Sequence, residues 1–306
     1  MTDMTRMAPS IDRALLQTMP LPVAGGDKNA RGRVLVAGGS RAVPGAILLA
    51  AEAALRAGAG KLQVAMGASV APGVALCLPE ALVRALPETA SGDLAPGAAE
   101  DLAHAAMQAD GFLLGPGMMD DTVALMQGIL ARLDPACAPY LALDAGALCH
   151  QESLRAALRP HAGRAVLTPH AGEMAAMLGT DRATIEADPL AAGRHAAATL
   201  QAMVVMKGVQ TYVVTPDGYA WRYTGGGPGL ATSGSGDVLA GLVTGLLARG
   251  VPPAEAACWA VWLHGEAGRR LAQRIGPIGF LARELAAEVP RLMADAGLTA
   301  SFHARS

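Results

Sequence analysis

A run of glycines that ends in an acidic residue and leads into an apolar helix carries the strongest chemical signal in this sequence. The glycines are at positions 225, 226, 227, 229, 234 and 236, and Asp237 follows them directly. Backbone amides without side-chain cover, at the positive end of a helix, predict a site for a phosphate group or a developing anion. Because the helix dipole favours the ionised form of an acid in the first turn, Asp237 is a candidate general base on a hydroxyl group. A plain turn followed by an ordinary helix-start Asp is the alternative.

Lys207 is a second candidate, as one of three lysines in the chain. Together with Gly208 it ends a predicted buried strand, and Thr211 begins the next one. An ammonium group at a strand end can contact a nucleotide phosphate as a point charge. The alternative is a surface lysine that only buries its aliphatic stem.

Two further motifs follow predicted strands. His170 and Glu173 lie three residues apart at the start of a predicted helix, so both side chains face one cleft at the carboxyl edge of the sheet. A histidine at a helix start is also often only a cap. Gly115, Pro116 and Gly117 form a rigid turn after the strand GFLLG, at the edge where open α/β sheets bind ligands. A simple turn between strand and helix is the competing interpretation there.

The elements that would position these residues alternate between short β-rich runs and longer runs of helical period. The predicted strands are RVLVAGG, KLQVAM, GFLLG, PYLALD, RAVLT and AMVVMKG, and most are followed by an Ala- and Leu-rich segment such as 44–57. This order is typical of an α/β fold with helices on both faces of a mostly parallel central sheet, a three-layer α/β/α sandwich. Three of the helices are expected near 236–249, 253–274 and 280–296.

One segment departs from this alternation. The run TYVVTPDGYAWRYT contains two β-rich stretches, and the Pro216, Asp217 and Gly218 between them suit a tight turn. The segment therefore predicts an antiparallel hairpin at an edge of the sheet.

Length and composition limit the function classes. The 306 residues are 52% hydrophobic and 3% aromatic, carry a net charge of −2 and contain no cluster of Lys and Arg. A small-molecule partner is therefore expected rather than a nucleic acid. The four cysteines form no CxxC pair, and no apolar segment reaches the roughly 20 residues of a membrane span, so we predict no membrane association and a cytoplasmic location. Residues 1–30 are interpreted as a loose lead-in with a short helix around 11–18, and 31–300 as a single domain.

The string GLATSGSGDVLAG resembles the anion-hole signature of the ribokinase-like superfamily. Within that superfamily, LTPHAGEMAAMLG, VVMKGVQTYVVTPDG, LLGPGM, PGAILLAAEAALRAGAG and the pair Pro79 and Glu80 are similar to motifs of the ADP-dependent NAD(P)H-hydrate dehydratase family. The resemblance covers about residues 28–275. It implies a ribokinase-like fold and an ADP-dependent lyase. The substrate would be the S epimer of NADH hydrate or NADPH hydrate, cofactors damaged by addition of water to a ring double bond, and the products NAD(P)H, AMP and phosphate.

The resemblance also assigns roles to the residues that match the family motifs. It implies that Asp237 is the catalytic base and that the hydrate contacts Ala46, Gly117, His170 and Asp237. The nucleotide, ADP or its product AMP, would contact Lys207, Gly208, Val209, Gln210, Thr211 and Gly236. Gly234, Ser235 and Gly236 would form the anion hole, and Glu173 would orient Mg²⁺ and its waters.

Two departures from the family pattern affect the fine geometry. Gly146 stands in LDAGAL where the family usually has Asp, and Gly227 stands where it usually has Asn. The resemblance further implies a homo-oligomer, with the tetramer as the family tendency. Because only about 30 residues precede the first predicted strand, it also implies a separate NAD(P)H-hydrate epimerase.

Two other functions are compatible with part of the pattern. A vitamin-precursor kinase of the same superfamily, such as a hydroxyethylthiazole or hydroxymethylpyrimidine kinase, would release a stable phosphorylated alcohol. His170 and the KGVQT string weigh against it. A nucleotide-binding regulatory protein without catalysis would need to have lost the base, and Asp237 is present.

Overall fold

A computed structural model describes residues 8–22, 27–119, 122–148 and 150–298. Within them, nine strands form one sheet: β1 (Arg33–Ala37), β2 (Lys61–Gly67), β3 (Ala81–Leu86), β4 (Gly111–Leu114), β5 (Tyr140–Leu143), β6 (Ala165–Leu167), β7 (Met203–Met206), β8 (Thr211–Val214) and β9 (Ala220–Tyr223). Their order across the sheet is β3-β2-β1-β4-β5-β6-β7-β8-β9. Strands β1 to β7 are parallel, whereas β8 and β9 pair in antiparallel fashion.

Helices cover both faces of the sheet. They are α1 (Arg13–Gln17), α2 (Gly45–Arg56), α3 (Ala71–Cys77), α4 (Ala99–Ala106), α5 (Val123–Leu130), α6 (Gln151–Leu158), α7 (Ala171–Leu178), α8 (Arg182–Ala187), α9 (Pro189–Leu200), α10 (Ser235–Ala248), α11 (Pro253–Arg274) and α12 (Ala282–Met293). Helices α2, α10, α11 and α12 share one core with Val34 and Val36, and α4, α5, α6, α7 and α9 share a second core with Leu35 and Ala37. Because successive strand residues point to opposite faces, β1 serves both cores. The predicted three-layer α/β/α sandwich is confirmed.

Only one of the two edges of the sheet was predicted from the sequence. The predicted hairpin is confirmed by the pairing of β8 with β9, in which Thr211 lies opposite Tyr223. Strand β3, at the other edge, was not predicted. Most of its side chains are partly or fully exposed and Arg84 lies in its middle, so it lacks the apolar run that marks the central strands.

The segment before the first strand was expected to be loose, and for residues 8–22 this expectation is wrong. The side chains of Ile11 and Leu16 are buried in the core that contains α11. The amide of Ile11 donates a hydrogen bond to the carbonyl oxygen of Arg222 on β9. The apolar residues along the segment bury enough surface to hold it against the core, and the expected short helix is confirmed as α1.

Other parts of the predicted organisation are not decided by the structure. Residues 1–7 and 23–26 of the predicted lead-in and residues 299–300 of the predicted domain lie outside the described residues. The boundaries 1–30 and 31–300 therefore stay predictions. In the described part of the chain, no helix combines the length and apolar character needed to cross a membrane.

Helices α2 and α10 pack so closely that no side chain fits between them at two positions. A Cβ atom added to Gly241 would lie 2.1 Å from the carbonyl oxygen of Ala50, and one added to Gly245 would lie 2.5 Å from that of Ala54. Later residues of α10 thus contact later residues of α2, and the two helices run parallel. Both begin at the carboxyl edge of the sheet, so their positive ends point to the same side of the molecule.

Gly241→Ala should destabilise the protein through this helix contact. The added Cβ meets a backbone carbonyl, which cannot rotate away as a side chain could, so the helices must separate. We expect the free energy of unfolding, measured in urea, to fall by about 1–3 kcal/mol. The matched control is Gly73→Ala, because Gly73 is exposed in α3 and no atom lies within 4 Å of its added Cβ. Alanine should be neutral or stabilising there, and equal losses in the two variants would contradict the packing argument.

Candidate active site

The carboxyl edge of the parallel strands collects most of the candidate residues. Residues 115–117 follow β4, Asp144 follows β5, His170 lies shortly after β6 and Lys207 follows β7. The strand order reverses between β1 and β4. Open α/β sheets bind ligands in the crevice at such a reversal, so the candidate site lies where this fold is expected to hold one.

Ala46 and Gly117 meet at this reversal. Gly117 has a φ of +69°, and a Cβ on it would lie 2.5 Å from the carbonyl oxygen of Val43 and 2.9 Å from the Cβ of Ala46. Ala46 is buried in the first turn of α2. Only glycine at 117 allows this approach, and the two residues predicted to contact the hydrate are therefore neighbours.

Helix α10 begins at a loop with several free amides. Gly234 has a φ of +87°, in the left-handed region that favours glycine. The amide of Ser235 donates a hydrogen bond to the carbonyl oxygen of Thr232. The amides of Gly234, Gly236 and Asp237 have no acceptor among the residues that the structure describes. These donors, at the positive end of α10, can bind an anion.

Ser235 has a different position from the one predicted for it. Besides its amide, its hydroxyl is engaged inside the protein, where Oγ lies 2.9 Å from Nε2 of His264. Ser235 therefore offers neither group to an anion. The prediction is corrected for Ser235, whereas the amides of Gly234 and Gly236 that were predicted with it have no acceptor among the described residues, and the amide of Asp237 is a further donor there.

Lys207 is the centre of a charged cluster beside that loop. Its Nζ donates a hydrogen bond to Oδ1 of Asp144 at 3.0 Å and lies 3.6 Å from Oε2 of Glu173. A Cβ added to Gly236 would lie 3.2 Å from the same Nζ. Burial alone would lower the pKa of Lys207, but the Asp144 and Glu173 carboxylates raise it above its ordinary value. The ammonium group is therefore a permanent positive charge beside Gly236 and its free amide.

Asp237 lies in the first turn of α10, as predicted, but its ionised form is not favoured there. Burial raises the pKa of the Asp237 carboxyl to about 7, Asp144 and Glu173 add to the rise, and Lys207 opposes it. The expected effect of the helix dipole is thus outweighed by desolvation and by two like charges, and the sequence-based prediction is wrong in direction. A carboxyl group that titrates near neutrality is well suited to accept a proton from a hydroxyl group.

His170 and Glu173 form a reciprocal cap at the start of α7. Nδ1 of His170 accepts hydrogen bonds from the amides of Gly172 and Glu173, and Oε2 of Glu173 accepts one from the amide of His170 at 2.7 Å. This capping box confirms the alternative interpretation of His170 as a cap. The ring is nevertheless 58% exposed, so its Nε2 edge can also contact a ligand.

The segment predicted to contact the nucleotide runs from the charged cluster to the exposed surface at the same edge of the sheet. It is formed by Lys207, Gly208, Val209, Gln210 and Thr211, which connect β7 to β8. The amide of Lys207 donates a hydrogen bond to the carbonyl oxygen of Pro169, which ties the segment to the residue before His170. Val209 is 98% exposed. The structure thus brings this segment beside Gly236 through the side chain of its first residue.

The glycine run of the sequence has two parts with different roles. A Cβ on Gly225 would meet the hydroxyl oxygen of Tyr223 at 2.3 Å, and one on Gly229 would meet the Phe280 ring at 2.3 Å. These glycines allow close packing. These positions thus have a packing reason to be glycine, and the expectation that the whole run offers its amides to a phosphate stays a prediction for them.

The two departures from the family pattern have different settings. A Cβ on Gly146 would lie 2.7 Å from both the Cβ and the carbonyl oxygen of Met118, so a larger side chain there would displace the turn after β4. Gly227 has a φ of +88° and open space around an added Cβ. Asn adopts this conformation more readily than most residues, so the Asn of the family pattern fits the same backbone.

Asp144 and His264 were not predicted as members of the site. Asp144 is almost fully buried and also accepts a hydrogen bond from Oγ1 of Thr168 at 2.6 Å. Its signal was present in PYLALD, because it follows a predicted strand just as Lys207 does. His264 reaches Ser235 from α11 across 29 residues of sequence, and nothing in its own apolar segment indicates that contact.

Comparison with known proteins identifies a family that matches this chain. A family model described as NAD(P)H-hydrate dehydratase matches residues 34–291. The chain is 51% identical over 293 residues to the ADP-dependent (S)-NAD(P)H-hydrate dehydratase of Xanthomonas campestris, with 93% of this chain and 96% of that protein covered.

Solved structures agree with the fold. The ADP/ATP-dependent NAD(P)H-hydrate dehydratase of Bacillus subtilis, co-crystallised with ATP and Mg²⁺, superposes with a TM-score of 0.77 at 28% identity, covering 95% of this chain and 100% of that one. A ribokinase-like superfamily protein of Enterococcus faecalis superposes with a TM-score of 0.78 at 26% identity, covering 97% and 99%. The predicted ribokinase-like fold is confirmed.

Asp237→Asn should make the folded protein more resistant to unfolding at alkaline pH. The folded pKa is about 7 and the ordinary value 3.8, so between these the folded state binds more protons than the unfolded state and stability falls as pH rises. Asparagine has no such loss. We expect the variant to exceed the wild type by on the order of 4 kcal/mol at pH 8, and the difference to shrink toward pH 4.

Thermal unfolding from pH 4 to 8 measures this difference. The matched control is Asp101→Asn, since Asp101 is an exposed residue in the first turn of α4 and its loss removes no buried charge. A stability difference between Asp237→Asn and the wild type that does not grow with pH would contradict the buried-acid argument.

Proposed function

The chain belongs to the NAD(P)H-hydrate dehydratase family, and on this basis we propose that it dehydrates the S epimer of NADH hydrate or NADPH hydrate at the expense of ADP. The products are NAD(P)H, AMP and phosphate. The observation that carries this proposal is the Asp237 carboxyl group with a pKa of about 7, placed one residue after Gly236 and beside Lys207. A base and an anion site at one helix start are what transfer of phosphate to a hydroxyl group requires.

The reaction has two stages. In the first, the hydroxyl oxygen of the hydrate attacks the terminal phosphorus of ADP, the bond from that phosphorus to the AMP oxygen breaks, and Asp237 takes the hydroxyl proton. In the second, the phosphorylated ring loses phosphate from one carbon and a proton from the adjacent carbon, which restores the ring double bond. The water of the hydrate thus leaves as part of the phosphate.

The chain supplies position and charge for the transfer. The amides of Gly236 and Asp237 donate hydrogen bonds to the transferred phosphoryl group, and Lys207 adds a positive charge within reach of it. The segment from Lys207 to Thr211 contacts the nucleotide, and the neighbouring Ala46 and Gly117, with the exposed ring of His170, contact the hydrate. These assignments are the ones that the matching family motifs imply, and the position of the residues at one edge of the sheet supports them.

The charged cluster fits Mg²⁺ that arrives with the nucleotide. Asp144, Glu173 and Asp237 surround the single ammonium group of Lys207, so the ionised cluster has a surplus of negative charge. No three acidic, histidine or cysteine side chains of the described residues form a metal cage, and Mg²⁺ in phosphate sites commonly uses only one or two carboxylates plus phosphate oxygens. Glu173 would hold the ion or its waters. Bound Mg²⁺ would neutralise charge on the phosphate oxygens.

The biological setting follows from the same proposal. The R epimer needs a separate epimerase activity. For the assembly we propose a homo-oligomer, a tetramer. A cytoplasmic location fits an enzyme that repairs soluble cofactors. A vitamin-precursor kinase would share the first stage but keep the phosphate ester. A regulatory protein would bind ADP without turnover.

The first test is turnover with purified protein, NADH hydrate, Mg²⁺ and either ADP or ATP. We expect dihydronicotinamide absorbance to return with ADP, together with one phosphate and one AMP for each NADH formed. Recovery of the absorbance with ATP but not with ADP would identify ATP as the phosphate donor. No recovery with either nucleotide would contradict the dehydratase proposal, and phosphorylation of thiazole or pyrimidine alcohols would then favour the kinase.

Asp237→Asn should reduce kcat far more than it changes KM, because the amide cannot take the hydroxyl proton. A loss of about 10²- to 10⁴-fold is expected. In the wild type, kcat/KM should rise with pH and level off above about 7, since only the ionised carboxyl group acts as the base. Asp101→Asn should leave the rate and its pH profile unchanged. Near-normal turnover in Asp237→Asn would show that another group is the base.

A further inference from the structure

His264 supports the start of α10 from a neighbouring helix. Its Nε2 lies 3.0 Å from the carbonyl oxygen and 2.9 Å from the hydroxyl oxygen of Ser235. It is carried by α11, where the adjacent Leu263 is fully buried in the core. Ser235, in contrast, stands between Gly234 and Gly236, residues whose backbones have the most freedom to lose. The histidine therefore ties a stretch of intrinsically flexible backbone to a rigid helix.

The carbonyl group determines the state of the His264 ring. A carbonyl oxygen only accepts hydrogen bonds, so Nε2 of His264 must carry the proton that it donates to Ser235. Burial lowers the pKa of His264 to about 4, which the hydrogen bond to Ser235 opposes and the charge of Lys207 assists. The ring is thus a neutral donor at pH 7 and adds no charge of its own to the phosphate site.

All three polar groups of Ser235 are used for its own placement. Its amide donates to the carbonyl oxygen of Thr232, and its carbonyl and hydroxyl oxygens both contact His264. The next two amides along the chain, those of Gly236 and Asp237, are free donors of the proposed anion site. Their direction, and the position of the Asp237 carboxyl group, therefore depend on how Ser235 is held.

We propose that His264 is a positioning residue for phosphoryl transfer, which acts through Ser235 to aim the amides of Gly236 and Asp237 at the transferred phosphate. This inference rests on the proposed function. In this proposal His264 acts through Ser235 and not by contact with the nucleotide or the hydrate. A misplacement of donors by about 1 Å can lower a rate by about 10²-fold, so the contribution of His264 is to the transition state and less to the binding of either substrate.

The chain offers a control in a second histidine that contacts a backbone carbonyl group. Nε2 of His161 lies 3.1 Å from the carbonyl oxygen of Leu130, and His161 is 1% exposed. Leu130 belongs to the core on the opposite face of the sheet from α10 and α11. His161 thus makes the same kind of contact without any connection to the anion site, and its replacement reports the effect of losing a buried histidine on folding alone.

The kinetic test compares His264→Leu, His264→Gln and His161→Leu by kcat, KM for ADP, KM for NADH hydrate and unfolding temperature. We expect His264→Leu to lower kcat by about 10- to 100-fold with KM changed by less than about threefold. The Gln side chain carries an N–H group that can reach the same carbonyl oxygen, so His264→Gln should recover most of kcat. His161→Leu should lower the unfolding temperature and leave kcat unchanged. Unchanged kcat in folded His264→Leu, or equal kcat losses in both Leu variants, would overturn the proposal.

A measurement on the wild type makes the test independent of how the variants fold. In protein labelled with ¹⁵N-histidine, long-range ¹H–¹⁵N correlations assign the tautomer of each ring, and the His264→Gln spectrum identifies the His264 signals. A neutral ring with its proton on Nε2 supports the proposal, whereas a proton on Nδ1 or a charged ring at pH 7 overturns it. Failure of the proposed function is distinguishable, because then the wild type itself shows no turnover with NADH hydrate.

Discussion

The ammonium group of Lys207 is the contact on which the candidate site depends. It follows β7, pairs with Asp144 after β5 and with Glu173 on α7, and lies beside Gly236 on α10. Three separate elements are thus held to one buried cation. Removal of one partner of such a buried pair leaves the other charge without compensation. The positions of the proposed base, the cap of α7 and the loop before α10 are therefore coupled through Lys207 rather than set one by one.

The same cluster explains why Asp237 has an unusual acidity. The single ammonium group of Lys207 is shared by Asp144, Glu173 and Asp237. At Asp237, burial and the charges of Asp144 and Glu173 outweigh it, and the pKa of that carboxyl group is raised. This arrangement opposes folding at neutral pH, since a desolvated carboxylate is destabilising. It is useful only when a proton must be accepted, or when an arriving phosphate brings a divalent cation that offsets the surplus charge. Local instability at this point is a property that a base in an anion site requires.

The sequence predicted most of this molecule, and its failures have identifiable physical causes. The strands and helices followed from apolar periodicity, and Asp237, Lys207 and His170 followed from their places at element ends. Strand β3 was missed because an edge strand does not need an apolar run. The acidity of Asp237 was mispredicted because the helix dipole is a local effect, whereas Asp144 and Glu173 come from distant segments. His264 could not be found from its neighbours in sequence, because its role is a contact between two helices.

The spacing between the two substrates is a property of a helix pair rather than of loops. Ala46 belongs to the first turn of α2, and Gly236 and Asp237 belong to the first turn of α10. Gly241 and Gly245 let these parallel helices touch through their backbones at Ala50 and Ala54. The helices therefore cannot move closer, and no large side chain lies between them at these positions to rearrange. Interiors packed in this way transmit displacement instead of absorbing it. The wall expected to contact the hydrate and the wall expected to contact the phosphate are consequently two ends of one rigid unit, which is the pre-organisation that transfer between two bound substrates requires.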